Sequence, residues 1–181
     1  MTKAALLLAG TIDVTTALAP RPAQAQEDDA LQETARELYD QASKARGEER
    51  WADCHARATS AWAAQQHRKI AGVLGDCALH LGKAREAAEK LQFYLDEATP
   101  SDPAELKTFV AGRLEEAKKS IAVATVTVNV DGARLLVDAK PVDAGAPVYL
   151  DPGSHRFEAA LEGYPSVKED RELGAGQSET I

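Results

Sequence analysis

The stretch Pro147-Val-Tyr-Leu-Asp-Pro-Gly-Ser-His-Arg-Phe-Glu-Ala-Ala-Leu-Glu-Gly-Tyr164 decides the fold class of the C-terminal part of this chain. Val148 and Leu150 lead into Asp151-Pro152-Gly153-Ser154, where proline at the second and glycine at the third position suit a type II turn. Arg156 to Leu161 then forms an outgoing strand, and Gly163-Tyr164 ends it. The segment reads as a hairpin whose signature residues are Asp151, Pro152, Gly153, His155, Gly163 and Tyr164. His155 beside Ser154 and Asp151 invites a catalytic reading. The three are neighbours in a turn, where Asp and Ser serve the backbone, so His155 is assigned a structural role and no catalytic residue is predicted.

Upstream, the hydrophobic period changes from 3.6 to 2 at Val123. Ala124, Val126, Val128 and Val130 alternate with Thr125, Thr127 and Asn129, the pattern of a half-buried strand. Asp131-Gly132 is the residue pair a two-residue type I′ hairpin demands, with Leu135 and Val137 returning along the partner strand. Short strands separated by Gly and Pro turns predict a small antiparallel sandwich over residues 122–181.

Residues 26–121 read as helices. Asp29 and Gln32 form a capping-box pattern opening a helix that runs to Arg46 and stops at Gly47. Further helices are expected over Glu49–Ala64, with Trp51, Ala58 and Trp62 on a shared side, His67–Leu81, ending at Gly82, and Lys83–Ala98, ending before Pro100. Ser101-Asp102-Pro103-Ala104-Glu105 is a strong helix start, with Asp102 able to cap and Glu105 to complete a capping box. The helix it opens carries Leu106, Phe109, Val110, Leu114, Ala117 and Ile121 on one stripe, expected to close the last helical pair. The fold class is therefore α+β, antiparallel helical hairpins followed by a small all-β sandwich.

The chain has 181 residues, 44% of them hydrophobic but only 5% aromatic. Alanine supplies much of the apolar count, which suits closely packed helix pairs better than a core wide enough for a cofactor, and none is predicted. The 29 acidic against 21 basic residues give a net charge of −8, which opposes binding to nucleic acid or to anionic membranes. Lys3, the apolar run Ala4 to Ile12 and the small-x-small sequence Ala23-Gln24-Ala25 mark residues 1–25 as a signal peptide. That run is far shorter than the roughly 20 apolar residues a membrane span needs, so no transmembrane helix is expected in the mature chain. The predicted location is periplasmic or secreted.

Two resemblances follow from these residues. Tyr39, Ala42, Gly47 and Ala52 set beside Leu74, Cys77, Gly82 and Ala87 give a constant offset of 35 residues, close to the tetratricopeptide period. Leu81-Gly82-Lys83-Ala84-Arg85-Glu86-Ala87 resembles the turn into the second helix of such a repeat. The order Val126-Thr-Val-Asn-Val-Asp-Gly132, Pro147 to Ala159 and Gly163-Tyr164 resembles the PEGA domain, a small β-sandwich of bacterial envelope proteins. The Pro-Glu-Gly-Ala tetrapeptide of that family is absent, and residue 181 falls where a final strand should be under way, so either the module is short of a strand or the chain is a fragment. Together the pieces resemble envelope proteins common in myxobacteria and their relatives. The resemblance implies a non-enzymatic scaffold or adaptor with other envelope proteins as partners, and a cell-wall polysaccharide ligand for the sandwich is the alternative.

Cys54 and Cys77 are the only cysteines, and in a secreted chain an even count reads as a bridge. If the helices stack as a repeat, the two lie on neighbouring helices. Two reduced, buried thiols are the first alternative. A zinc set of Cys54, His55, Cys77 and His80 is the second, weakened because adjacent side chains diverge by about 100° on a helix; no metal site is predicted. The mixed charges of Glu48, Glu49, Arg50, Lys83, Arg85, Glu86, Glu89 and Lys90 read as solvated helix surface, and a groove between helix pairs is their functional counterpart.

Overall fold

The computed structural model describes residues 23–130 and 132–181. The predicted signal peptide lies outside the described residues up to position 22, and so does Asp131 of the expected type I′ turn. Among the described residues the chain forms five helices and then seven strands, an α+β protein.

The helices are α1 (Ala23–Gly47), α2 (Trp51–Ala64), α3 (Arg68–His80), α4 (Ala84–Asp96) and α5 (Ala104–Lys118). Three of the four joints hold a glycine or proline, residues that end helices for different backbone reasons, and the α2–α3 joint is Gln65-Gln66-His67. The capping box at Asp29 and Gln32 does not open α1, which begins upstream at Ala23. Nothing between Ala23 and Arg46 breaks a helix. Asp102 likewise does not cap α5, whose N-cap is Pro103. Its carboxylate turns instead to Thr99 and Arg68, because charge-assisted bonds are the stronger choice.

Successive helices pack on one another and their small side chains set the spacing. Ala42, Ala45, Cys54, Ala58 and Cys77 are buried at the meeting of α1, α2 and α3. On α3, a Cβ at Gly75 would come within 2.7 Å of Leu91 Cγ and 3.2 Å of the Ala87 carbonyl oxygen. Only glycine allows α4 to lie that close.

The strands are β1 (Ala122–Thr125), β2 (Arg134–Val137), β3 (Lys140–Val142), β4 (Pro147–Leu150), β5 (Gly153–Ala160), β6 (Val167–Leu173) and β7 (Ser178–Thr180). They make a three-stranded sheet in the order β4-β1-β7 and a four-stranded sheet in the order β3-β2-β5-β6. The two share one interior, into which Ala122, Ala124 and Leu150 point from the first sheet and Leu135, Val137, Phe157 and Leu173 from the second.

This pairing corrects four expectations. The sandwich is not wholly antiparallel, since β7 runs parallel to β1. In the alternating run to Val130, strand β1 ends at Thr125 with a further backbone bond from Thr127 to Ile181, and β2 does not pair with β1 but belongs to the other sheet. The two-residue hairpin turn is Asp138-Ala139, between β2 and β3, where both residues adopt the positive φ (49° and 64°) of a type I′ turn. The quoted segment is not a hairpin either. β4 pairs with β1, β5 pairs with β2 and β6, and Asp151-Pro152 carries the chain from one sheet to the other. Gly153, at φ 145°, takes a backbone angle open to glycine alone among common residues. A Pro-Gly pair redirects the chain in either case, and burying both Leu150 and Phe157 in one interior selects the crossing.

No linker separates the helices from the sheets. Ile121, just past the end of α5 after Lys119 and Ser120, is buried with Leu91, Tyr94, Val110 and Leu114, a cluster that also takes in Tyr149 of β4, with Val123 of β1 against it. Val123 and Tyr149 are register partners on one face of the first sheet, so the helices cover the outer face of that sheet where β1 meets β4.

Candidate interaction groove

Cys54 and Cys77 form a disulfide that joins α2 to α3 with a Cα separation of 6.0 Å. Both are fully buried, and bonding removes both sulfurs from the zinc set considered above. No group of three or more acidic, His or Cys side chains suited to a metal ion occurs among the described residues. No described helix is long and apolar enough to cross a membrane.

Asp151, Pro152, Gly153 and His155 gather at the sheet-to-sheet corner. His155 Nδ1 lies 2.7 Å from Asp138 Oδ2 and its Nε2 lies 2.7 Å from the Asp151 carbonyl oxygen. Both ring nitrogens thus face acceptors, an arrangement satisfied in full only by the imidazolium. Burial pulls the His155 pKa down, but these two bonds outweigh it and leave the pKa raised. Burial works against the Asp138 carboxylate too, yet the bonds from His155 and from the Arg156 N–H hold its pKa below the ordinary value. Asp151 also pairs with Arg85 of α4 at 3.2 Å, so the corner is latched to the helices. Gly163 and Tyr164 sit apart in the β5–β6 connection, Gly163 at φ 83° and the Tyr164 ring mostly exposed.

The two tryptophans are spent on packing. Trp51 stacks on His80 at a centroid distance of 3.6 Å, and Trp62 meets Phe93 edge-on under the ammonium of Lys90. Of the charged helix residues, Glu86 is bonded to His55 across α2 and α4.

A groove of about 490 Å³ runs between α1, α3 and α5. Its apolar wall is Leu106 and Phe109, 40% and 48% exposed, although the stripe on α5 predicts both inside. Only Val110, Leu114 and Ala117 of that helix are buried. Arg46, Arg68 and Lys69 line the groove with a single carboxylate, Asp102. Asp102 takes Arg68 in a forked pair of 3.0 and 3.1 Å and accepts the Thr99 N–H at 2.7 Å. The Arg68 guanidinium, with those Thr99 bonds, holds the Asp102 carboxyl well below the usual carboxylate range. His67, at the start of α3, is held below its ordinary value by burial and by the charges of Arg68 and Lys69.

Beside the groove residue Arg46 lies Asp76, a buried carboxylate on α3. Arg113 Nε of α5 donates to it at 2.8 Å, and Arg46 Nη1 of α1 approaches its other oxygen at 3.8 Å. The carboxylate therefore ties together the three helices that form the groove. Sequence reading missed this set. Leu106 and Phe109 carried a signal as part of an apolar stripe, whereas nothing in the pattern marks Arg46 or Lys69.

Comparison with protein-family models, with curated proteins and with solved structures gives no match to the chain.

Proposed function

We propose that this protein is a non-enzymatic adaptor or scaffold of the cell envelope, secreted or periplasmic, which works by receiving a segment of another protein in the groove between α1, α3 and α5. In this reading α1 to α4 are two tetratricopeptide-like pairs and the two sheets are a PEGA-like module. The observation that carries it is the exposure of Leu106 and Phe109 along a groove walled by three helices. Large apolar side chains left side by side on a folded surface mark contact sites. The buried disulfide supports an oxidising compartment, where such bonds form and persist. The ionisable clusters support a scaffold role: Asp76 ties helices together, and His155 with Asp138 closes a corner.

A cell-wall polysaccharide ligand is the second reading, favoured by the exposed Tyr164 ring beside Val130, Leu161 and Val167 at the open end of the sandwich. Sedimentation of the full chain with purified peptidoglycan and envelope polysaccharide separates the two. The adaptor reading expects no saturable binding. Saturable binding that is lost in Tyr164→Ala and kept in Phe109→Ala would replace it with the second.

A further inference from the structure

We propose that the groove of α1, α3 and α5 selects an acidic, extended protein segment, its carboxylates set against Arg46, Arg68 and Lys69 and its apolar side chains laid on Leu106 and Phe109. This rests on the adaptor reading and adds the chemistry of the partner.

Charge complementarity carries the argument. In a chain of net charge −8, this groove is lined by three cations and one carboxylate. The carboxylate is committed, since Asp102 binds Arg68 and Thr99. It occupies Nε and Nη2 of Arg68 and leaves the Nη1 side of the guanidinium unused. Lys69 is exposed and enters no ion pair among the described residues. Arg46 reaches one oxygen of Asp76 only at 3.8 Å, while Arg113 holds the other at 2.8 Å. Each cation thus retains donors for an incoming anion, and guanidinium groups favour carboxylates through paired N–H donors. The Tyr94 hydroxyl, on a residue that also lines the groove, is buried and without a hydrogen bond. A buried donor of that kind is rare in folded proteins and calls for an acceptor. Leu106 and Phe109 on α5 supply a wall for the apolar side chains of such a segment. A segment carrying Asp or Glu next to Leu, Ile or Phe matches both walls.

The test is selection of random dodecapeptides displayed on phage against the immobilised full chain, followed by fluorescence anisotropy of the enriched peptides. The proposal expects acidic residues beside large apolar ones among those peptides. It expects affinity to fall about tenfold in Lys69→Glu and in Phe109→Ala, and to weaken as salt screens the charges. Both substituted side chains are exposed or half exposed, so the variants fold, which circular dichroism checks. It also expects the His67 ring to titrate at higher pH in the complex, as bound anions offset Arg68 and Lys69. Enriched peptides without acidic residues that still depend on Phe109 would overturn the acidic selection and leave the groove as a contact site. Peptides indifferent to every groove substitution would overturn the groove reading itself. Binding of polygalacturonate with the same dependence on Lys69, and of no peptide, would overturn the protein partner in favour of an acidic polysaccharide.

Discussion

The Tyr149 hydroxyl donates a hydrogen bond to Gln92 Oε1 over 2.8 Å, joining β4 to α4 across the seam between sheets and helices. Burial pushes the phenol pKa up to about 12, with help from the charges of Asp96 and Glu115, so the donor stays protonated at any working pH. The same ring is part of the helical core. Tyr149→Phe should cost about 1 kcal/mol, the net worth of one buried hydrogen bond, and Tyr149→Ala about 4 kcal/mol through lost packing. Urea denaturation measures both. The shared core also predicts one cooperative transition for the full chain, so two separated transitions would show that helices and sheets unfold independently.

The Cys54–Cys77 bridge closes a loop with a sequence separation of 23 residues. Constraint of the unfolded chain by a loop of that size is worth about 3 kcal/mol. Thiol titration of the denatured, non-reduced protein should find no free thiol. The paired variant Cys54→Ala with Cys77→Ala should lower the urea midpoint by an amount matching that loss.

Gly75→Ala tests the close approach of α3 and α4. Alanine is the better helix former by about 1 kcal/mol, so an open site would gain stability. Here the new methyl would meet Leu91 Cγ at 2.7 Å and the Ala87 carbonyl at 3.2 Å, and forcing the helices apart should produce a net loss of about 1 to 3 kcal/mol. Gly112→Ala on α5, where nothing lies within 4 Å, should instead be neutral or stabilising in the same assay.

The corner pair sets a pH window. A raised His155 pKa contributes stability fully present below the ordinary histidine value of 6.5 and lost as pH rises through the folded value. A depressed Asp138 pKa contributes stability present above 3.8 and lost as pH falls through its folded value. The difference in Tm between the native chain and Asp138→Asn should therefore be largest between these limits and shrink above neutrality. A difference that stays constant from pH 5 to pH 9 would show that His155 does not titrate against Asp138.

How much of this was legible in the sequence depends on which interactions decide each feature. Helix positions depend on local signals, and Gly47, Gly82 and Pro100 mark where α1, α3 and α4 end, whereas the start of α1 at Ala23 lies well before the expected cap at Asp29. Strand partners depend on what is buried against what. Asp131-Gly132 has the better turn propensity, yet the hairpin that opens the second sheet turns at Asp138-Ala139, where Val137 faces the shared interior and Asp138 accepts from His155 and Arg156. Pro152-Gly153 announces a change of direction without saying that the chain leaves its sheet. Val123 and Tyr149 give no sign that the outer face of their sheet is covered by helices. Leu106 and Phe109 illustrate the same limit in reverse: the period of an apolar stripe gives its direction, and only the packing of other helices decides which of its residues are covered.

The central claim, that Phe109 and its neighbours contact a partner protein, is tested most directly by photo-cross-linking in the native envelope. A photoreactive side chain at position 109 should yield one discrete protein adduct, absent when Lys69→Glu is introduced and absent when the same group is placed at Glu89 on α4. Adducts of equal yield from both positions, or none from position 109, would contradict the account.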